Sequence, residues 1–154
     1  MTDMNELEFS KLYYTVADLA RATLQHAQST LIRNLRMFAM ANNAIPTVDS
    51  SLYCIAYSKE VNDFIVVTNG NIVNPNVVYF SDRKVAIRAI FAYGDDMDFI
   101  IEIMDVVGKF GVTRVADEDN SPFSRSELID LYNKLNVFNV DFGELEVYNS
   151  KCCN

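Results

Sequence analysis

The sequence has few of the residues that build catalytic and metal sites: it has no tryptophan, one histidine and three cysteines among 154 residues. His26 stands alone, so we expect neither a zinc site, which needs several nitrogen or sulfur ligands, nor a histidine-activated nucleophile. The cysteines are Cys54 and the adjacent pair Cys152 and Cys153, and an odd number of this kind is no disulfide framework. We therefore expect no metal, no cofactor and a reducing, cytoplasmic environment.

Enzyme motifs are missing as well. GxxxxGKS/T, GxGxxG, HExxH and GxSxG do not occur. Residues 117–121 place oxygen ligands at alternate positions as a calcium loop does, but Pro122 replaces the required glycine and Leu128 the required glutamate. No run of about 20 apolar residues predicts a membrane span, and the acidic residues 1–6 are unlike a signal peptide. We expect a protein that is neither an enzyme nor bound to a membrane.

Glycine and proline are absent from Met1 to Ile45, which predicts one long helix or a helical hairpin within residues 4–43. One heptad register gives a pattern typical of a coiled coil, with mostly small residues at a and mostly leucine or phenylalanine at d. The a positions are Tyr13, Ala20, Ala27, Asn34 and Ala41, and the d positions are Ala17, Leu24, Leu31 and Phe38. Two interpretations follow: the helix packs on its own domain, or it forms an oligomer. The predicted oligomer seam consists of Leu24, Ala27, Leu31, Asn34 and Phe38.

After Asn42, Asn43 and Pro46, the hydrophobic period changes from helical to two. Strands are predicted at residues 52–57, 64–68 and 77–80, separated by turns at 59–63, 69–71 and 74–76, and together they form a small antiparallel sheet. Ser81 then caps a covering helix that ends at Gly94.

The last third is predicted to be largely helical and acidic. A helix begins at Asp95 and ends at Gly108, a short strand follows at 112–115, and a capping box at Ser124–Glu127 precedes a helix at 128–135. Residues 137–148 are predicted to form a strand, a turn at Gly143 and another strand. The fold class is therefore α+β, with a helical or oligomerisation segment at 1–45 and an α+β domain at 46–154.

Charge is distributed unevenly along the chain. Residues 95–154 contain thirteen Asp and Glu against five Lys and Arg, and so account for the whole net charge of −8. Such a surface favours a basic partner and disfavours nucleic acid or an anionic membrane. A solvated helix face is the simpler interpretation of such a row, and a docking surface is the functional one. The predicted partner-binding residues are Asp95, Asp96, Asp98, Glu102, Asp105, Asp117, Glu118 and Asp119.

Residues 52–97 contain four recognisable features: a tyrosine-rich hairpin, the strand end Tyr79-Phe80-Ser81, the helix Ala86–Ile90 with an AxxAI pattern, and Gly94-Asp95-Asp96. In these features the segment resembles a module of small proteins of phages and prophages of low-GC Gram-positive bacteria. The resemblance implies a phage accessory protein, and that family has no catalytic residues to transfer.

Two functional hypotheses follow from charge and resemblance. The leading one is a non-enzymatic, phage-encoded protein that docks on a basic host protein in the host cytoplasm, for example an anti-CRISPR inhibitor of a nucleic-acid-binding defence nuclease. The alternative is a self-assembling structural or virion-accessory subunit, a homo-oligomer joined through the N-terminal helix. The first predicts salt-sensitive binding, and the second predicts an apolar, salt-resistant seam.

Overall fold

The computed structural model describes residues 2–68, 77–111 and 117–136, with side-chain exposure from residue 8 onward. The strands predicted at 112–115 and 137–148, the turns at 69–71 and 74–76, and Cys152 and Cys153 lie outside the described residues. The fold class is α+β with a long N-terminal helix. The chain divides into two compact units, residues 27–99 and residues 1–26 together with 100–154.

Helix α1 runs without interruption over Thr2–Ala41, so the helical-hairpin alternative is wrong. The predicted stop at the two asparagines is confirmed. Asn43 adopts a left-handed φ of 53°, the Asn43 N–H donates to the Met40 carbonyl (3.2 Å), and the Ala44 N–H donates to the Ala39 carbonyl (2.8 Å). This pair of hydrogen bonds is a Schellman motif, which satisfies two of the carbonyls that a helix end leaves open.

We expect the left-handed conformation at Asn43 to control the stability of this end of α1. A branched side chain there meets a steric cost of about 1–2 kcal/mol, whereas glycine adopts the conformation freely. Asn43→Val should therefore lower the free energy of unfolding by about 1–2 kcal/mol, and Asn43→Gly should leave it nearly unchanged. Urea unfolding followed by circular dichroism measures both. A matched change at exposed Asn133, Asn133→Val, controls for the loss of the amide, and an equal effect at both positions would contradict the expectation.

A two-stranded antiparallel sheet is formed by β1, Tyr53–Ser58, and β2, Asp63–Thr68. The predicted third strand is reduced to one bridge, in which Tyr53 and Phe80 exchange N–H···O bonds of 2.9 and 2.8 Å. The next N–H along the chain, that of Ser81, donates to the Ala44 carbonyl at 2.9 Å.

The core of the 27–99 unit lies where three elements meet: the end of α1, the sheet and the start of the next helix, α2, which spans Arg83–Gly111. Its buried members include many alanines, which allow close approach of the elements. One face of the sheet, with Ile55 and Val66, packs against this core while partly exposed. The buried residues are Leu35, Ala39, Ala44, Val78, Phe80, Val85, Ala86, Ala89 and Met97.

Helix α2 spans Arg83–Gly111 and differs from the sequence prediction at three points. At the start of the helix, the Lys84 N–H donates to Asp82 Oδ1 (2.8 Å). The capping side chain is therefore that of Asp82 rather than the predicted Ser81. The helix does not end at Gly94. Instead, Tyr93 leaves helical geometry (φ −121°, ψ 17°) and makes a kink, after which the helix continues past Gly108. Neither glycine adopts the left-handed φ that would end a helix.

The unit of residues 1–26 and 100–154 has an aromatic core. The Tyr13 and Phe110 rings meet edge to face with centroids 5.0 Å apart, and the Phe110 and Phe123 centroids are 4.7 Å apart. The other buried residues of this unit come from all of its described helices: Phe9, Val16, Ala17, Ala20, Thr23, Ile100, Ile103, Leu128 and Leu135.

The predicted capping box is confirmed at the start of α3, residues 125–136. The Ser124 N–H donates to Glu127 Oε1 (3.1 Å), and the Glu127 N–H donates to Ser124 Oγ (3.2 Å). Hydrogen bonds to the Glu127 carboxyl from the Ser124 N–H and then from the Ser124 side chain hold its pKa below the ordinary value. A 3₁₀ turn, Glu118–Asn120, lies before α3.

Candidate functional site

Three of the predicted partner-binding carboxylates lie in the 27–99 unit, on the turn of α2 that follows the kink at Tyr93. Asp95, Asp96 and Asp98 are all exposed. A new helical segment begins after the kink, and carboxylates near the beginning of a helix are stabilised by its dipole. Within the described part of the chain, none of the three forms a side-chain hydrogen bond or an ion pair. The local fold therefore leaves their charge directed to solvent.

An exposed aromatic ring precedes these carboxylates on the same helix. Phe91 is 84% exposed, whereas Phe80 of the same unit is 0% exposed. Phe91 was not among the residues predicted from the sequence. Its exposure could have been predicted, however, because Val85, Ala86 and Ala89 mark the buried face of the helix, and Phe91 lies on a different face. We call Phe91, Asp95, Asp96 and Asp98 the acidic-aromatic surface.

The carboxylates on the second half of α2 have partners within the protein. Glu102 forms an ion pair with Lys134 of α3, and Asp105 lies 3.6 Å from the Lys109 Nζ, one turn along α2. Both pairs are exposed to solvent, where such pairs contribute little to stability. Their main effect is to neutralise part of the charge that the sequence assigned to this row.

Two of the three predicted carboxylates at 117–119 are used by the local fold. Asp117 Oδ1 accepts the Asn120 N–H (3.0 Å) and caps the 3₁₀ turn. Glu118 Oε1 accepts the Arg125 N–H at 3.0 Å, at the start of α3. Asp119 is exposed and has no such role among the described residues. The structure thus separates the eight predicted residues into carboxylates that serve the fold and carboxylates that face solvent.

Charge also differs between the two units. Residues 1–26 and 100–154 contain fourteen acidic and seven basic residues, whereas residues 27–99 contain seven acidic and six basic ones. The aspartates of the acidic-aromatic surface are three of those seven. The acidic-aromatic surface thus presents three negative charges and one apolar ring on a unit whose net charge is close to zero.

Other candidate chemistry receives little support from the described residues. Burial raises the pKa of the Cys54 thiol, which lowers its thiolate fraction at neutral pH and its reactivity. Residues 2–68, 77–111 and 117–136 contain no group of three or more His, Cys, Asp or Glu side chains that could hold a metal ion. Among the same residues, no helix is long and apolar enough to cross a membrane.

The predicted oligomer seam is partly used inside the chain. Ala27 is buried, and Leu31 and Phe38 pack against the core of the 27–99 unit, with the Phe38 and Tyr93 rings edge to face at 5.9 Å. Leu24 and Asn34 are half-buried. The assembly hypothesis stays a prediction, and these contacts define which seam residues already have neighbours in one copy of the protein.

Comparison of the chain with protein-family models, with curated proteins and with solved structures gave no significant match.

Proposed function

We propose that the protein is a non-enzymatic binding protein that docks on a basic partner protein through the acidic-aromatic surface. The observation that carries the proposal is the exposure of four side chains on the same helix, those of Asp95, Asp96 and Asp98 and that of Phe91, which is 84% exposed. None of these four side chains is needed by the described core. Aromatic rings of this kind are common anchors in protein interfaces, where a few buried residues supply most of the binding energy.

The charge of the surface supports a basic protein as the partner. Carboxylates around an apolar anchor steer a positively charged surface into contact and disfavour acidic competitors. The net charge of −8 opposes direct binding to nucleic acid. A positively charged surface on a protein is in turn typical of proteins that bind nucleic acid. The finer proposal is therefore an inhibitor that occupies the phosphate-binding surface of a host defence nuclease such as a CRISPR effector, in line with the phage resemblance.

The test compares two triple charge reversals. One variant carries Asp95→Lys, Asp96→Lys and Asp98→Lys. The control carries Asp49→Lys, Glu60→Lys and Asp130→Lys, exposed residues that change the net charge equally. Each immobilised protein is incubated with lysate of a low-GC Gram-positive host, retained proteins are identified by mass spectrometry, and the purified partner is titrated by calorimetry. We expect the first variant to bind at least about 100-fold more weakly than wild type, which is about 2.8 kcal/mol.

The control should bind the partner within about threefold of wild type, because its three exposed charges are not part of the proposed surface and act on the partner only through solvent and salt, which screen them. Binding by wild type should weaken between 0.1 and 1 M NaCl, since exposed charges are screened by salt. Equal retention by both triple variants, or retention unaffected by salt, would exclude this surface as the docking site. Addition of nucleic acid tests the finer proposal, because an inhibitor of the proposed kind competes with it for the partner.

A further inference from the structure

The 27–99 unit contains a second feature, the outer edge of β2, which is the edge that faces away from β1. The N–H and the carbonyl of Tyr53 both bond to Phe80 and therefore point away from β2. Bonded and non-bonded pairs alternate along an antiparallel ladder, and Tyr53 lies opposite Thr68 in a non-bonded pair. The residues of β2 that bond to β1 are then Asp63, Ile65 and Val67.

The remaining residues of β2 direct their backbone N–H and carbonyl groups to the outer edge: Phe64, Val66 and Thr68. The Phe64 N–H is bonded to the neighbouring carboxylate, Asp63 Oδ1, at 2.8 Å. Within the described part of the chain, the N–H and carbonyl of Val66 and the N–H of Thr68 have no hydrogen-bond partner. A row of backbone groups of this kind is a template for a further strand.

This edge lacks the features that usually keep an edge strand unpaired, which are lysine, proline or a bulge. Residues 64–68 include no charged residue and no proline, and the register of β1 with β2 is continuous. Phe64 and Val66 pack against the core on one face, and Ile65 on the other face is 38% exposed. A strand added here therefore gains backbone hydrogen bonds and covers apolar side chains.

A second copy of the chain fits this edge. Two antiparallel β2 strands related by a two-fold axis at Val66 exchange the N–H···O bonds of Val66 reciprocally. This register sets Phe64 opposite the partner's Thr68 and Ile65 opposite the partner's Val67, so no like charges meet across the pair. The 27–99 unit contains seven acidic and six basic residues, and two units of nearly zero net charge repel each other little.

We propose that the protein forms a two-fold dimer in which the β2 edges of two copies pair antiparallel and join the two hairpins into one sheet. The contact is short, and interfaces of small area are weak and transient, so we expect a dissociation constant in the micromolar range. This interface is different from the oligomer seam predicted in α1. It is also independent of the acidic-aromatic surface and of the function proposed for it.

Sedimentation velocity over a series of protein concentrations measures the dimer, and hydrogen exchange by NMR locates it. The amides of Ile65 and Val67 bond to β1 and should be protected both below and above the measured dissociation constant. The amide of Val66 should exchange rapidly below that concentration and at least about tenfold more slowly above it, because only the dimer gives it an acceptor. Added salt should not weaken the dimer, since it screens the repulsion between two chains of net charge −8.

Two variants change the edge without removing a bond between β1 and β2. Ile65→Lys places a charge on the exposed face of the edge strand and should raise the dissociation constant at least about tenfold, because an edge lysine opposes pairing. Val61→Lys makes a matched change at a 62% exposed position of the hairpin loop and should have no effect. Val66→Pro removes the outward N–H, which an edge strand tolerates, and should abolish the dimer. Circular dichroism checks that each variant is folded.

The proposal is overturned if the protein is monomeric at every concentration. A monomer with a protected Val66 amide would mean that another part of the chain covers the edge, and a monomer with a rapidly exchanging one would leave the edge to a different protein. A dimer that persists in Ile65→Lys, with Val66 exchange independent of concentration, would also overturn it and place the contact elsewhere, for example at the seam in α1.

Discussion

Phe80→Ala should lower the free energy of unfolding by about 3–5 kcal/mol, and Phe91→Ala should change it by less than about 0.5 kcal/mol. The two substitutions remove the same atoms from the same unit. Phe80 is 0% exposed and belongs to the core of residues 27–99, whereas Phe91 is 84% exposed. Truncation of Phe80 therefore leaves a cavity that the rigid neighbouring elements fill only in part.

Urea unfolding followed by circular dichroism at 222 nm measures both variants. If the urea concentration at the midpoint shifts while the slope of the unfolding free energy against urea stays constant, the substitution has changed the stability of the protein. A loss of less than about 1 kcal/mol for Phe80→Ala would contradict the burial of this ring. Phe91→Ala serves a second purpose, because a variant of unchanged stability that binds the basic partner more weakly shows that the exposed ring belongs to the interface.

Much of the fold was predictable because its signals are local. The absence of glycine and proline before residue 46 predicted a long N-terminal helix, and the period of two predicted the β1–β2 pair. The capping box at Ser124 needed only four residues to be recognised. The helix stop at Asn43 likewise follows from the tolerance of asparagine for the left-handed conformation.

The errors arose where tertiary contacts decide between local alternatives. Gly94 was taken as a helix stop, yet α2 continues through it and is kinked at Tyr93, whose ring packs on Phe38 of α1. The third strand could not be excluded from the sequence, because the one bridge that forms, Tyr53 with Phe80, joins residues far apart in the chain. Contacts between residues so far apart in the chain leave no periodic signal.

The heptad interpretation of α1 was accurate for the first half and drifted in the second. Tyr13 and Ala20, at predicted a positions, are buried. Farther along, Leu35 and Ala39 are buried, whereas their neighbours Asn34 and Phe38 are only half-buried. The buried face thus moves by one residue because a straight helix repeats every 3.6 residues rather than 3.5. That drift is expected of a helix that packs on its own chain.

The candidate site was predicted only in part, because composition gives charge and not its partners. The sequence could not show that Glu102 pairs with Lys134, which is 32 residues away. It also offered no reason to separate Asp95 from Asp117, although Asp117 is a capping residue. The exposure of the side chains supplied the missing distinction, and it also identified Phe91.

Tyr13→Ala should destabilise the unit of residues 1–26 and 100–154 by about 3–5 kcal/mol. Tyr13 is 1% exposed and its ring contacts both Phe9 and Phe110, with centroids 6.4 and 5.0 Å away. Truncation opens a cavity at the centre of the aromatic core. The matched change at the next residue, Tyr14→Ala, removes a ring that is 49% exposed, and we expect a loss below about 1 kcal/mol there. Urea unfolding by circular dichroism provides the comparison.

The hydroxyl of Tyr13 makes the free energy of unfolding depend on pH. This dependence tests the burial of the hydroxyl separately from the packing of the ring. Burial, and then the neighbouring Tyr14, raise the pKa of Tyr13 above its ordinary value of 10.0, while Arg21 lowers it to a smaller extent. Because the folded state resists ionisation more than the unfolded state does, the full stability is present below pH 10 and is lost as the pH rises through the folded-state pKa. Tyr13→Phe, which has no ionisable group, should therefore gain stability relative to wild type between about pH 8 and about pH 11. Tyr14→Phe removes only the smaller of the two causes that raise the pKa of Tyr13, so it should keep most of the pH dependence of wild type. If it instead matched Tyr13→Phe, the pH dependence would not belong to the buried ring.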